Sequence, residues 1–245
     1  NEYLSRNAII SNFSHALCPI KKIGFAADSL DYYNPSAWYR KLYYLFYIPY
    51  GYKKPDFAFS SSKYTAKIVK EIFKIAEEKV CITGLPKTDY LFNNIDKHPE
   101  IDSAINKHVE GKECKNIILF LPTFRNDLNF NLFDYEFDLN SLQDILNDSK
   151  SFLFFNLHPF DSKRFKGVHI QNNNRIVFLN YQGDEINYLL KKADVLISDY
   201  GSLWSDFLIF NKPMIFANFD HEKYIKEREL FSNCFNELPG DKVKN

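Results

Sequence analysis

Arg125, His158 and the pair Gly201-Ser202 are the residues of this sequence best suited to chemistry on a phosphate. Each follows an apolar run. Asn116–Leu121 (NIILFL) leads into Pro122-Thr123-Phe124-Arg125-Asn126-Asp127. Ser151–Leu157 (SFLFFNL) leads into His158-Pro159. Val195–Ser198 (VLIS) leads into Asp199-Tyr200-Gly201-Ser202, then Leu203-Trp204-Ser205-Asp206. An arginine offers a planar fork that matches phosphate oxygens. A histidine can donate to a phosphate oxygen or protonate a leaving group. A Gly-Ser turn at a helix start presents backbone N–H groups and a hydroxyl to an anion. Taken singly, Arg125 suits a surface ion pair, His158 a structural histidine, and Asp199–Ser202 an ordinary turn. Their shared place after apolar runs points instead to a diphosphate cradle. No Walker sequence and no GxGxxG is present, which disfavours an NTPase or a dinucleotide dehydrogenase.

The elements that must position these residues alternate along the chain. Strands are expected at Phe57–Ser60, Val80–Thr83, Asn116–Leu121, Ser151–Leu157, Ile176–Leu179, Val195–Ser198 and Pro213–Ala217. Ser61 and Ser62 offer caps to a helix with Ile68, Ile72 and Ile75 at helical spacing. Asp138–Asn147 is an amphipathic helix with Asp138 as its cap, and Glu185–Lys191 is helical. Residues 85–115, with Pro86, Pro99 and Gly111, suit a helix-containing connector. Continuous apolar runs separated by helices predict an α/β fold with a parallel sheet covered on both faces. Such sheets bind ligands beyond the carboxyl ends of their strands.

Composition narrows the classes. The 245 residues carry 31 Lys+Arg and 31 Asp+Glu, so bulk charge gives no footprint for nucleic acid. The aromatic share is 17%, enough for a packed core, and no apolar run reaches the ~18 residues of a membrane span. Cys18, Cys81, Cys114 and Cys234 are dispersed, so a zinc site is not expected and a reduced cytosolic compartment fits. No signal-peptide pattern is seen. Eight of the fifteen residues from Trp38 to Tyr52 are aromatic, flanked by Arg40, Lys41, Lys53 and Lys54. That mixture favours either core packing or an anionic membrane surface. The only Met is Met214 and the chain opens on Asn1, so a piece of a longer protein is expected.

Five blocks together resemble a known family. Ser198–Tyr224 (SDYGSLWSDFLIFNKPMIFANFDHEKY) is similar to the signature of CDP-glycerol glycerophosphotransferases, the teichoic-acid and capsule polymerase type. Thr83–Phe92 (TGLPKTDYLF) resembles its T-G-x-P-R-x-D-x-L, and Pro122–Asp127 (PTFRND) its P-T-W-R-x-D. His158-Pro159 matches its His-Pro, and His15–Gly24 (HALCPIKKIG) resembles its H-G-T-P-L-K-K. The blocks keep the family's order and span nearly the whole chain. Gly201 stands where the pattern has Ser, Lys87 where it has Arg, and the His15 block is one residue longer.

The resemblance implies a GT-B-like architecture of two Rossmann-like halves with parallel sheets. Residues 1–110 would form an apparently truncated acceptor-side domain and 111–245 the nucleotide-donor domain. It implies transfer of a polyol phosphate, glycerol phosphate first, from a CDP-polyol to a hydroxyl of a growing polymer or lipid-linked acceptor. His15 would be the base and His158 would sit at the diphosphate. Thr123, Arg125, Asp199, Gly201, Ser202 and Asp206 would bind the nucleotide and its diphosphate. Lys21, Lys22, Lys87 and Asp89 would face the acceptor. No obligatory cofactor or metal is expected, although Asp199 and Asp206 could accommodate Mg²⁺. The implied place is the cytoplasm, peripheral to the inner face of the membrane. A GT-B glycosyltransferase using another nucleotide-sugar, or a non-catalytic nucleotide- or polymer-binding remnant, is the alternative.

Overall fold

Sheet formation follows the apolar runs. In the computed structural model, β4 (Asn116–Leu121), β5 (Ser151–Asn156), β6 (Ile176–Leu179), β7 (Val195–Ser198), β8 (Met214–Ala217) and β9 (Asp241–Val243) form one sheet in the order β6-β5-β4-β7-β8-β9. Every pairing is parallel. Counted within the sheet, that is the doubly wound order 3-2-1-4-5-6, whose strand order reverses between β4 and β7. The structure describes residues 9, 11–13, 54–93, 97–123, 125, 139–157, 175–227, 230–231 and 238–243.

The chain divides into two units. One holds Asn1–Asp89 and Glu222–Glu237; the other holds Tyr90–His221 and Leu238–Asn245. In the first, β1 (Ser11–Phe13), β2 (Phe57–Ser60) and β3 (Val80–Ile82) pair in parallel. Helix α1 (Lys63–Phe73) follows β2. Ser62 caps it, accepting the Thr65 N–H at 3.2 Å, while the Ser62 N–H donates to Thr65 Oγ1 at 3.1 Å. This reciprocal box closes two otherwise orphaned donors. Val69 and Ile75 then bury against Ala58 of β2. Helix α2 (Pro86–Asn93) follows β3.

In the second unit, α3 (Pro99–Val109) begins with proline, whose missing N–H costs nothing in a first turn. The connector expected at 85–115 thus resolves into α2 and α3. β5 is buried at every position, as its unbroken apolar run predicts. Helix α4 (Leu139–Asp148) drops Leu146 into a core of Phe120, Leu153, Phe155 and Ile176. Phe155 lies 5.1 Å from Phe120 and 4.9 Å from Phe178 between ring centres. The predicted cap Asp138 lies outside the described residues. Helix α5 (Asp184–Lys192) starts acidic and ends basic, matching its macrodipole. Asp102 fastens α3 to α5, accepting the Tyr188 hydroxyl at 2.6 Å and pairing with Lys192 at 2.7 Å. Short helix α6 (Leu203–Phe207) follows β7, and α7 (His221–Glu227) follows β8 and belongs from Glu222 onward to the first unit.

Two strands escape sequence prediction. β1 is three residues long, and β9 is an exposed Asp-Lys-Val edge. Each has one apolar residue in three, too few to make a pattern, and an edge strand needs only its backbone. Gly240 admits β9: its φ is +147°, and a Cβ there would fall 2.6 Å from the Met214 carbonyl oxygen.

Candidate active site

Strand register explains why the predicted residues meet. Leu121, the last residue of β4, pairs with Ser198, the last of β7. The next residues therefore leave the sheet side by side, at the point where strand order reverses. Such a reversal opens a crevice at the carboxyl edge.

Asp199 is fully buried and stitches the two loops together. Its carboxylate accepts the Thr123 N–H at 2.9 Å and the Thr123 hydroxyl at 2.6 Å. It also accepts its own turn, through the N–H groups of Tyr200 at 2.6 Å and Gly201 at 3.3 Å. Arg125 Nη1 donates to it at 2.8 Å. These bonds compensate the cost of burying a charge.

Arg125 is itself only 3% exposed. Its Nε and Nη2 grip Asp220 in a bidentate pair at 2.7 and 3.0 Å. Nη1 also donates to the Thr123 carbonyl. The guanidinium lies 5.0 Å from the centre of the Tyr200 ring, which stacks on His221. Burial works against the charge on Arg125, but Asp199 and Asp220 outweigh it and hold the pKa above its ordinary value. Burial, then the charge of Asp220, raises the Tyr200 phenol. The sequence reading gives the Arg125 fork to a phosphate; the structure turns all three of its nitrogens onto protein oxygens.

The turn after Asp199 runs into α6. Ser202 is half-buried and its hydroxyl does not cap the helix; the hydroxyl of Ser205 donates instead to the Ser202 carbonyl at 2.6 Å. Asp206 is 1% exposed. A Cβ on Gly201 would sit 3.2 Å from Thr123 Oγ1 and 3.8 Å from Ser198 Oγ, so the turn packs closely on the β4 loop. Among the described residues no group of three or more His, Cys, Asp or Glu side chains could hold a metal ion.

The structure thus brings Thr123, Arg125, Asp199 and Gly201 into one network, with Ser202 and Asp206 on the segment that follows. Lys87 and Asp89 lie in the first turn of α2, Lys87 half-buried and Asp89 exposed. His15, Lys21, Lys22 and His158 lie outside the described residues, as does the aromatic stretch 38–52. Sequence reasoning gave no role to Asp220 or Tyr200. The signal for Asp220 was present: it stands three residues past β8, and strand ends were the place to look.

Residues 4–245 match the family described as CDP-Glycerol:Poly(glycerophosphate) glycerophosphotransferase. The teichoic acid ribitol-phosphate polymerase TarK of Staphylococcus aureus is 32% identical over 193 residues, 77% of this chain and 36% of that protein. The teichoic acid glycerol-phosphate primase of Bacillus subtilis is 33% identical over 194 residues, 77% of this chain and 46% of that one. The chain therefore spans about a third to a half of the length of these curated relatives. The solved structure of the wall teichoic acid polymerase TagF aligns with a TM-score of 0.72 at 24% identity, covering 98% of this chain and 57% of that one. That likeness establishes the α/β, GT-B-like fold class expected from the sequence. With the family match running almost from end to end, the chain belongs to the CDP-glycerol:poly(glycerophosphate) glycerophosphotransferase family.

Proposed function

We propose that this chain carries the donor-binding part of a transferase that moves a polyol phosphate from a CDP-polyol to a hydroxyl of a growing cell-surface polymer. One observation carries the reading: at the strand-order reversal, the loops leaving β4, β7 and β8 are tied together through Asp199, Arg125 and Asp220. A crevice edge fixed in this way suits a nucleotide diphosphate.

In the proposed reaction an acceptor hydroxyl attacks the phosphorus that bears the polyol. The new oxygen–phosphorus bond forms as the bond to the bridging oxygen breaks, and CMP departs. His15 takes the hydroxyl proton, a task an imidazole can perform at neutral pH. His158 and the Ser202 hydroxyl stabilise charge growing on the diphosphate, donors typically contributing a few kcal/mol each, on the order of ~3. Asp206 supports the donor side from α6. Lys21, Lys22 and Lys87 attract the phosphates of the acceptor, and Asp89 accepts from its hydroxyls. The donor-binding assignment for residues 111–245 and the acceptor assignment for 1–110 are part of this proposal.

Glycerol phosphate is the proposed cargo, and the relatives include both glycerol- and ribitol-phosphate enzymes. Among the described residues no helix is long and apolar enough to cross a membrane. The stretch Trp38–Lys54 would bring the enzyme to the inner face of the cytoplasmic membrane and a lipid-linked acceptor. The test is CMP release from CDP-glycerol and CDP-ribitol. Parent activity with CDP-glycerol, lost at least ~100-fold in His158→Ala, supports the reading. Turnover of neither donor, with no CDP binding by calorimetry, would overturn it.

A further inference from the structure

Arg125 is too well engaged inside the protein to serve first as a ligand for phosphate. Its Nε and Nη2 bind Asp220, and its Nη1 binds Asp199 and the Thr123 carbonyl. Arg125 and both carboxylates are at least nine-tenths buried. One guanidinium thus sits between two carboxylates. Burying such a set is expensive, and apolar residues of similar size often stabilise a fold as well or better. A set of this kind at the strand-order reversal specifies a geometry.

What it specifies can be followed bond by bond. Asp220 holds the guanidinium in a bidentate grip. The guanidinium holds one oxygen of Asp199. Asp199 in turn holds the N–H groups of Thr123, Tyr200 and Gly201. Asp220, on the β8 loop, therefore reaches the 199–202 turn through Arg125.

We propose that Asp220 is a positioning residue: acting through Arg125 and Asp199, it fixes the turn 199–202 against the β4 loop in the shape that receives the donor's diphosphate. The functional half of this inference rests on the CDP-polyol reading above; the mechanical half does not. A bidentate arginine–carboxylate pair suits the role because it fixes angle as well as distance, which a lysine cannot do.

The experiment compares the full chain with Asp220→Asn, Arg125→Gln and the double variant. Amide hydrogen exchange in the native state reads the mechanical link. In D220N, exchange at Thr123, Tyr200 and Gly201 is expected to quicken at least ~10-fold, while amides of β5 stay protected. Calorimetry with CDP reads the functional link: affinity is expected to fall at least ~10-fold in D220N. The KM for the CDP-polyol should rise more than kcat falls. Because Asp220 acts through Arg125, the double variant should bind CDP no more weakly than R125Q alone.

Unchanged exchange at the three amides overturns the proposal. Faster exchange with unaltered CDP affinity overturns it too, leaving a purely structural network. Multiplying effects in the double variant would mean that Asp220 acts by another route. If the parent chain fails to bind CDP, the CDP-polyol reading falls and the diphosphate role with it; the exchange result then decides the mechanical link alone. Should D220N not fold, Asp220→Glu keeps the charge at a changed distance. The same shifts are expected there, smaller, and their absence counts against the proposal.

Discussion

Asp199 carries more of the site's order than any residue with obvious reactivity. It receives donors from Thr123, Arg125, Tyr200 and Gly201 without reaching solvent. Replacing it with alanine would orphan the N–H groups it holds and take from Arg125 one of its two carboxylates. Asp199→Ala is therefore expected to cost about 3–5 kcal/mol, read as a lowered midpoint in urea unfolding. Gly201→Ser should behave differently. Its φ is not in the left-handed region, and the new Cβ would crowd only Thr123 Oγ1, a side-chain atom. A loss of about 1 kcal/mol or less is expected by thermal melting. At this scale the sequence was a partial guide. The positions of Thr123, Arg125 and Asp199 followed from where apolar runs end. The direction of the Arg125 fork did not, because residue type says nothing about which oxygens a guanidinium will meet, and Asp220 comes from a distant loop.

At the scale of elements, local chemistry decides each boundary. Ser62→Ala removes one arm of the α1 box and is expected to cost about 1 kcal/mol, visible in chemical denaturation. The tether between α3 and α5 should respond to acid. Hydrogen bonds from Lys192, then Tyr188, hold the Asp102 carboxyl below its usual range. A carboxyl lowered in this way adds stability above its unfolded pKa of ~3.9 and loses it as pH falls through the folded value. Asp102→Asn should thus melt earlier than the parent at neutral pH, and the gap should close in strong acid. Melting curves across the pH range check the sign. Strands β2 to β8 were legible because their apolar runs stand between turn residues. β1 and β9 were not, since short edges are held by backbone bonds that leave no pattern in side chains.

For the whole molecule, a ligand that binds only the folded state stabilises it by mass action. CDP at a hundred times its dissociation constant should add about 2.7 kcal/mol, and the midpoint of unfolding should climb with CDP concentration. A flat response would count against the donor reading. The doubly wound order was legible only as far as "parallel and covered on both faces". Which strands neighbour one another depends on handed crossovers and on contacts far apart in sequence.

One feature of that topology reaches into how the protein is made. After β8 the chain leaves its sheet, contributes Glu222–Glu237 to the other unit, and only then returns as β9. Until that return, β8 is a bare rim, with unpaired amides open to any passing strand. On a ribosome, the sheet would stay unfinished until β9 emerged. Gly240 lets the chain pass close to the Met214 carbonyl on the way into β9, and Gly240→Ala should leave the rim uncovered. Chains stalled or clipped before that glycine are expected to stick to one another during synthesis, so the variant should shift from the soluble to the pelleted fraction while core substitutions of equal thermal cost stay in solution.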